Sequence, residues 1–164
     1  MNEKTFYNEI LTDHNLHPGN KHDIPDANLV LEGVNPSCGD DITLAAKIED
    51  GIVRDAAYTG HGCAISQASA DMMIDVIKGK TVEEALRLTD LFLSMIKREV
   101  TDEDELEELE DAIALKNISN MPARVKCAVL AWHTLKEALE HKKDKPDGGE
   151  NAGNVCKEEE HEGQ

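Results

Sequence analysis

Cysteine and aspartate occur at three places in this 164-residue chain in settings suited to holding a metal ion. Cys38 lies in Asn35-Pro36-Ser37-Cys38-Gly39-Asp40, Cys63 in Gly60-His61-Gly62-Cys63-Ala64, and Cys127 in Pro122-Ala123-Arg124-Val125-Lys126-Cys127. Gly and Pro bend the backbone in the first two segments, so their thiols are presented at turns. Asp40 adds a carboxylate two residues after Cys38. Three thiolates and one carboxylate form a four-ligand set for zinc, or an open set for an iron–sulfur cluster. A free thiol titrates near pH ~8.5 and is mostly protonated at neutrality, whereas zinc holds the thiolate. The carboxylate is the harder, less thiophilic donor, so a mixed set exchanges a ligand more readily than an all-thiolate one. A cysteine released in this way is a nucleophile.

Single cysteines are most often inert core residues, and Cys127 taken alone carries little weight. Cys38 beside Asp40, and Cys63 in its glycine-rich turn, depart from that rule. His61 adjoins the second turn and reads either as a ligand or as a solvent-exposed loop residue. His133, beside Trp132, reads as surface or core edge, and Met72 and Met73 as core. Ser66, Gln67 and Ser69 suit the first turn of a helix after Cys63. Cys156 has no assigned role.

The elements that must position these residues are legible in the periodicity. Residues 3–17 place Phe6, Tyr7, Ile10, Leu11 and His14 on one helical stripe, ended by Pro18-Gly19-Asn20. Residues 28–34, 42–49 and 52–58 read as three strands, the last two joined by Asp50-Gly51, a type I′ hairpin signal. A meander of three strands brings the ends of the first and third to one edge of the sheet, placing the Cys38 and Cys63 turns side by side. Helices follow: 65–78, a second from the Thr81–Glu84 capping box with a break near Thr89-Asp90, an acidic amphipathic one over 102–115, and a long one over 122–141. The expected fold class is α+β, a three-stranded antiparallel sheet packed with helices. Cys127, early in the last helix, closes the site only if that helix packs across the sheet.

Size and charge bound the rest. The chain is long enough for one domain with a core; residues 1–143 are expected to form it, with 144–164 an acidic disordered tail. Aromatic residues make up 3%, so aliphatic side chains must fill the interior. The net charge of −17 disfavours nucleic-acid binding. Nine of the thirteen residues from Glu99 to Asp111 are acidic, which reads as solvation or as a handle for a basic partner. No apolar run reaches the length of a membrane span and no signal-peptide core follows Met1, so a cytoplasmic location with reduced thiols is expected.

The three cysteine segments, in order and at this spacing, resemble those of the U-type iron–sulfur assembly proteins (IscU, SufU and the N-terminal domain of NifU) over roughly residues 3–141. The resemblance implies a small antiparallel sheet packed with helices, the SufE/NifU-like fold. IscU-type members carry a histidine before the third cysteine and a Leu-Pro-Pro-Val-Lys chaperone segment. Here Lys126 precedes Cys127 and the local segment is Met121-Pro122-Ala123-Arg124. These features, with the acidic stretch between Cys63 and Cys127, resemble SufU. The SufU likeness implies zinc held by Cys38, Asp40, Cys63 and Cys127, Cys38 as sulfur acceptor, and Arg124 in support. It also implies sulfur delivery from a SufS-type cysteine desulfurase to other SUF assembly components, as a sulfurtransferase-type partner and not a stand-alone enzyme. The family alternative is a scaffold on which Cys38, Cys63 and Cys127 hold a [2Fe–2S] or [4Fe–4S] cluster for apo iron–sulfur proteins.

Overall fold

The computed structural model describes residues 3–36 and 39–144, with side chains for 9–36, 39–116, 118 and 120–140. Cys38, Cys156 and the expected tail beyond Asp144 lie outside the described residues. Helix α1 (Glu3–Leu16) precedes three strands, β1 (Leu29–Asn35), β2 (Asp40–Glu49) and β3 (Ile52–His61). They form one antiparallel sheet in the order β1-β2-β3. Helices α2 (Ala64–Ile77), α3 (Val82–Ile96) and the short α4 (Glu103–Leu106) follow, then a 3₁₀ segment (Glu107–Asn120) and α5 (Pro122–Asp144). This is the expected α+β class. No described helix is long and apolar enough to cross a membrane.

The sheet buries one face. Ile42, Leu44, Ala46, Ile48, Val53, Ala56 and Tyr58 form that face of the core, with Leu31 buried opposite Leu44, the alternation of a half-covered sheet. Helix α2 lies at the centre, buried nearly all round through Ala68, Ala70, Met72, Met73, Ile74, Val76 and Ile77. Helix α5 packs on both α2 and β1. Trp132 fixes it: its ring stacks on Phe92 of α3 with centroids 4.0 Å apart, and its indole N–H donates to Ser69 Oγ at 2.9 Å. Ser69 Oγ in turn donates to the Ala128 carbonyl at 2.6 Å. Ser69 thus ties two helices together; the expectation that it serves the first turn of α2 is corrected. Gly33 in β1 admits α5, because a Cβ there would meet Thr134 Oγ1 at 2.1 Å. Asp50 and Gly51 both take positive φ, 56° and 74°, the type I′ geometry their sequence signals.

Three other expectations change. β3 runs on through Gly60 and His61, which pair with Ile42 and Asp41, so this part of the second cysteine segment is strand. Helix α3 is unbroken at Thr89, whose hydroxyl donates to the Ala85 carbonyl at 2.8 Å inside the core. The acidic 102–115 segment is not one amphipathic α-helix. Beyond Leu106 it follows 3₁₀ turns and breaks at Glu110 (φ 54°, ψ −131°). Acidic side chains three and four apart repel along an α-helix, while Leu106, Leu109, Ala112, Leu115 and Ile118 still reach the core.

A buried polar cluster holds α1 to this frame. His14 Nδ1 lies 2.6 Å from Asp71 Oδ2 on α2, and Nε2 lies 2.9 Å from Asp111 Oδ2 on the 3₁₀ segment. Carboxylates only accept hydrogen bonds, so two carboxylate partners require both ring nitrogens to carry protons. Burial opposes that charge, yet the bonds to Asp111 and Asp71 outweigh it and raise the His14 pKa above its ordinary 6.5. The other oxygen of Asp71 accepts the Asn20 N–H at 2.9 Å. The Asn20 carbonyl accepts from the Tyr58 N–H on β3 at 2.9 Å.

The sign of the linkage follows from the raised pKa. The stability His14 contributes is complete below pH 6.5 and is lost as pH rises through the folded-state value. His14→Gln is expected to cost about 3 kcal/mol in mildly acidic solution. The Tm gap to the parent should narrow as pH climbs from about 6 to about 9. Thermal melts of both proteins across that range check this; a constant gap would contradict it.

Candidate metal centre

The turn between β1 and β2 opens at Asn35 and closes at Asp40, which face each other in the ladder. Its Gly39 has φ 76° and donates its N–H to the Asn35 carbonyl at 3.0 Å. β1 and β3 flank β2 and run in one direction, so the end of β3 arrives at the same sheet edge. Gly62 then leads to Cys63, the N-cap of α2, whose Sγ accepts from the Ser66 N–H at 3.5 Å. The N–H groups of the first helical turn thereby face the sulfur. Gln67 Nε2 donates to the Gly62 carbonyl at 2.9 Å and Ser66 Oγ to the Cys63 carbonyl at 3.2 Å, which sets the turn.

Asp40 joins the two turns: its Oδ1 accepts the Cys63 N–H at 2.8 Å. The closeness depends on glycine. A Cβ on Gly62 would lie 2.4 Å from Ser66 Oγ and 2.7 Å from Asp40 Oδ1, and one on Gly60 (φ 115°) would lie 2.1 Å from the Asp41 carbonyl oxygen. Cys127 arrives on the second turn of α5, fully buried, beside the Ala128 carbonyl that Ser69 holds.

Donor atoms of Asp40, Cys63 and Cys127 all lie within 4.8 Å of one another. In a tetrahedral zinc site with Zn–S near 2.3 Å, neighbouring donors stand about 3.5–4 Å apart. Small side-chain rotations would close the trio on one ion. Two sulfurs and a buried carboxylate suit zinc or an iron–sulfur cluster far better than magnesium or calcium. The donor set therefore fits a zinc ion with one position left for a fourth ligand, and Cys38, two residues from Asp40, lies outside the described residues.

The other sequence candidates lie apart from this trio. His61 is exposed at the end of β3 and His133 is exposed on α5; among the described residues neither joins a donor cluster. Arg124 is exposed in the first turn of α5, three residues ahead of Cys127. Two participants escaped the sequence reading. Asn35 is buried against the trio, its Nδ2 3.4 Å from Asp40 Oδ2 and 3.9 Å from Cys127 Sγ. His14 was counted within an apolar stripe; the signal that could have found it is Asp71, an acid amid the apolar run of α2. His14, Asp71 and Asp75 also cluster, but His14 and Asp71 are engaged by the bonds described above, and Asp75 Oδ1 accepts from Asn20 Nδ2 at 3.0 Å.

Residues 6–147 match the NifU-like N terminal domain, and the chain belongs to that family of iron–sulfur cluster assembly scaffolds and sulfur-transfer proteins. It is 45% identical over 136 residues to the iron–sulfur cluster assembly scaffold protein IscU of Thermotoga maritima, covering 83% of this chain and 94% of that one. It is 42% identical over 139 residues to the zinc-dependent sulfurtransferase SufU of Bacillus subtilis, covering 84% and 92%. Among solved structures it resembles a putative scaffold protein for the SUF system from Fervidobacterium islandicum, with TM-score 0.75, 38% identity, and coverage of 84% of this chain and 99% of that one. An N-terminal NifU-like protein from Brucella abortus shares the fold at TM-score 0.74 and 21% identity, covering 88% and 99%.

Gly62→Ala tests the closeness of Asp40 to Cys63. The added methyl must push the carboxylate off the Cys63 amide, costing about 1–3 kcal/mol of stability. Amide exchange at Cys63 should accelerate well beyond that at residues remote from the turn. Chemical denaturation and residue-resolved hydrogen exchange check both; unchanged protection at Cys63 would contradict the geometry.

Proposed function

We propose that this chain is a zinc-dependent sulfur carrier of the SUF type, receiving persulfide sulfur from a SufS-type cysteine desulfurase. The carrying observation is the Asp40–Cys63–Cys127 trio, its first and last members buried and Cys63 half-buried, set two residues from a further cysteine. Zinc would be held by Cys38, Asp40, Cys63 and Cys127, and when bound it would keep the cysteines as thiolates at neutral pH. Cys38 is the acceptor in this reading. Its thiolate attacks the terminal sulfur of the desulfurase persulfide, an S–S bond forms on Cys38, the partner's S–S bond breaks, and the partner cysteine leaves as thiolate. Asp40 and the helix-capped Cys63 hold the turn in place through the bond between them. Arg124, one helical turn before Cys127, supports the anionic sulfur as it arrives. The reading assigns this chemistry to residues 1–143 and leaves 144–164 outside it.

Lys126 before Cys127 and the 42% identity to the zinc-dependent Bacillus subtilis protein favour this reading. The 45% identity to a protein described as a scaffold favours a second one, in which Cys38, Cys63 and Cys127 carry a cluster destined for apo iron–sulfur proteins.

The carrier reading predicts near-stoichiometric zinc in the purified protein. It further predicts strong stimulation of a SufS-type desulfurase that is lost in Cys38→Ala, with persulfide found on Cys38 by mass spectrometry. Cys38→Ala stimulating as well as the parent would refute the acceptor assignment. Anaerobic iron and sulfide separate the two readings: a stable chromophore that transfers to an apo-ferredoxin would favour the scaffold. Asp40→Ala should loosen zinc while leaving the fold intact, measured by competition with a chromophoric chelator and by far-UV circular dichroism.

A further inference from the structure

Asn35 is buried, about 5% exposed, at the last position of β1, and its three described contacts all point at the centre. Its carbonyl accepts the Gly39 N–H and closes the turn that carries Asp40. Its carboxamide nitrogen has two hydrogens and two acceptors in reach, Asp40 Oδ2 at 3.4 Å and Cys127 Sγ at 3.9 Å. Asp40 Oδ1 is already engaged by the Cys63 N–H. The carboxylate is therefore held from both oxygens by neutral donors, and a lone pair on each oxygen stays free for an ion.

We propose that Asn35 is a positioning residue of the metal centre, holding Asp40 and Cys127 as its fixed ligands and so directing ligand exchange to another donor. The inference rests on the metal-binding reading above and deepens it. A carboxylate is intrinsically the easiest of these ligands to lose from zinc. Clamped between an amide on Cys63 and the carboxamide of Asn35, it cannot swing away without breaking both bonds. Cys127 is pinned by the same carboxamide and by its burial on α5. Among the described residues, Cys63 Sγ accepts the Ser66 N–H of its own helix cap at 3.5 Å, and Asn35 has no described contact with it. Asn35 therefore disfavours loss of Asp40 and Cys127 from the ion, which keeps two ligands in place while another donor of the set exchanges. Hydrogen bonds of this kind to metal ligands are typically worth 10–100-fold in affinity.

The test is a double-mutant cycle on the full chain with zinc and cobalt(II) as probes. Parent, Asn35→Ala, Asp40→Ala and the double variant are titrated with zinc against a chelator. Their cobalt(II) forms are compared by the ligand-field and thiolate charge-transfer bands. Asn35→Ala is expected to lose zinc affinity about 10–100-fold and to broaden the cobalt bands, with Trp132 emission unchanged. Its effect should shrink markedly in the Asp40→Ala background, because its partner is gone. Additive losses, or an Asn35→Ala protein with the parent's affinity and cobalt spectrum, would overturn the assignment. If Asn35→Ala does not fold, Asn35→Ser, which keeps one donor, replaces it and should show a smaller loss. Failure of both to fold would assign Asn35 to the fold and not to the centre. A parent that binds neither metal would instead bring down the zinc reading, and this inference with it.

Discussion

The hydrogen bond from the Cys63 amide to the Asp40 carboxylate joins two segments 23 residues apart, and the centre is built outward from it. It requires three conditions at once. β1 and β3 must end at one edge, which the antiparallel order β1-β2-β3 ensures. Gly62 must have no side chain, since a Cβ would occupy the space of the carboxylate. Cys63 must sit at a helix start, so that its N–H is not consumed by the intrahelical ladder and is available to Asp40. Each condition is cheap by itself, and together they put a sulfur and a carboxylate from distant parts of the chain within 4.8 Å of each other.

Cys127 reaches that point by a different physics. No backbone pairing brings α5 to the sheet edge; side-chain packing does. Gly33 lets the helix approach β1, the Phe92–Trp132 stack fixes it against α3, and Ser69 links it to α2 on both sides of one turn. The same α2 carries Cys63 at its N-terminus and Asp71 in its middle. The ion-pair cluster of His14 therefore acts on the element that positions two of the three donors. Asn15 of α1 adds a bond from its side-chain nitrogen to the Ala64 carbonyl at 3.0 Å, directly beside Cys63. Helix α1 thus supports the candidate centre although it supplies none of the three described donors.

The parts legible in the sequence were those with a local signature. Alternation gave the strands, Asp50-Gly51 gave the hairpin, and meander topology alone brought the Asp40 and Cys63 turns together. The misreadings came from competition that local pattern does not carry. The acidic 102–115 stretch has the apolar spacing of a helix, and Leu106, Leu109 and Leu115 are buried as that spacing implies, but beyond Leu106 the chain winds as 3₁₀ turns and breaks at Glu110, which apolar spacing does not encode. Thr89 suggested a break because its side chain competes for backbone bonds; inside the core that hydroxyl satisfies itself on Ala85 and the helix continues. Asn35 and His14 were invisible because their partners, Cys127 and Asp111, lie more than ninety residues away.

Charge distribution gives the site a character the total conceals. The chain carries −17 overall, with the exposed acids of 99–111 gathered on the α4 and 3₁₀ stretch. Arg124 and Lys126 stand exposed at the start of α5, within three residues of Cys127. Salt screens charge beyond about 10 Å, so on the proposed carrier reading an anionic donor nearing Cys127 feels these two nearby cations more than the distant acids.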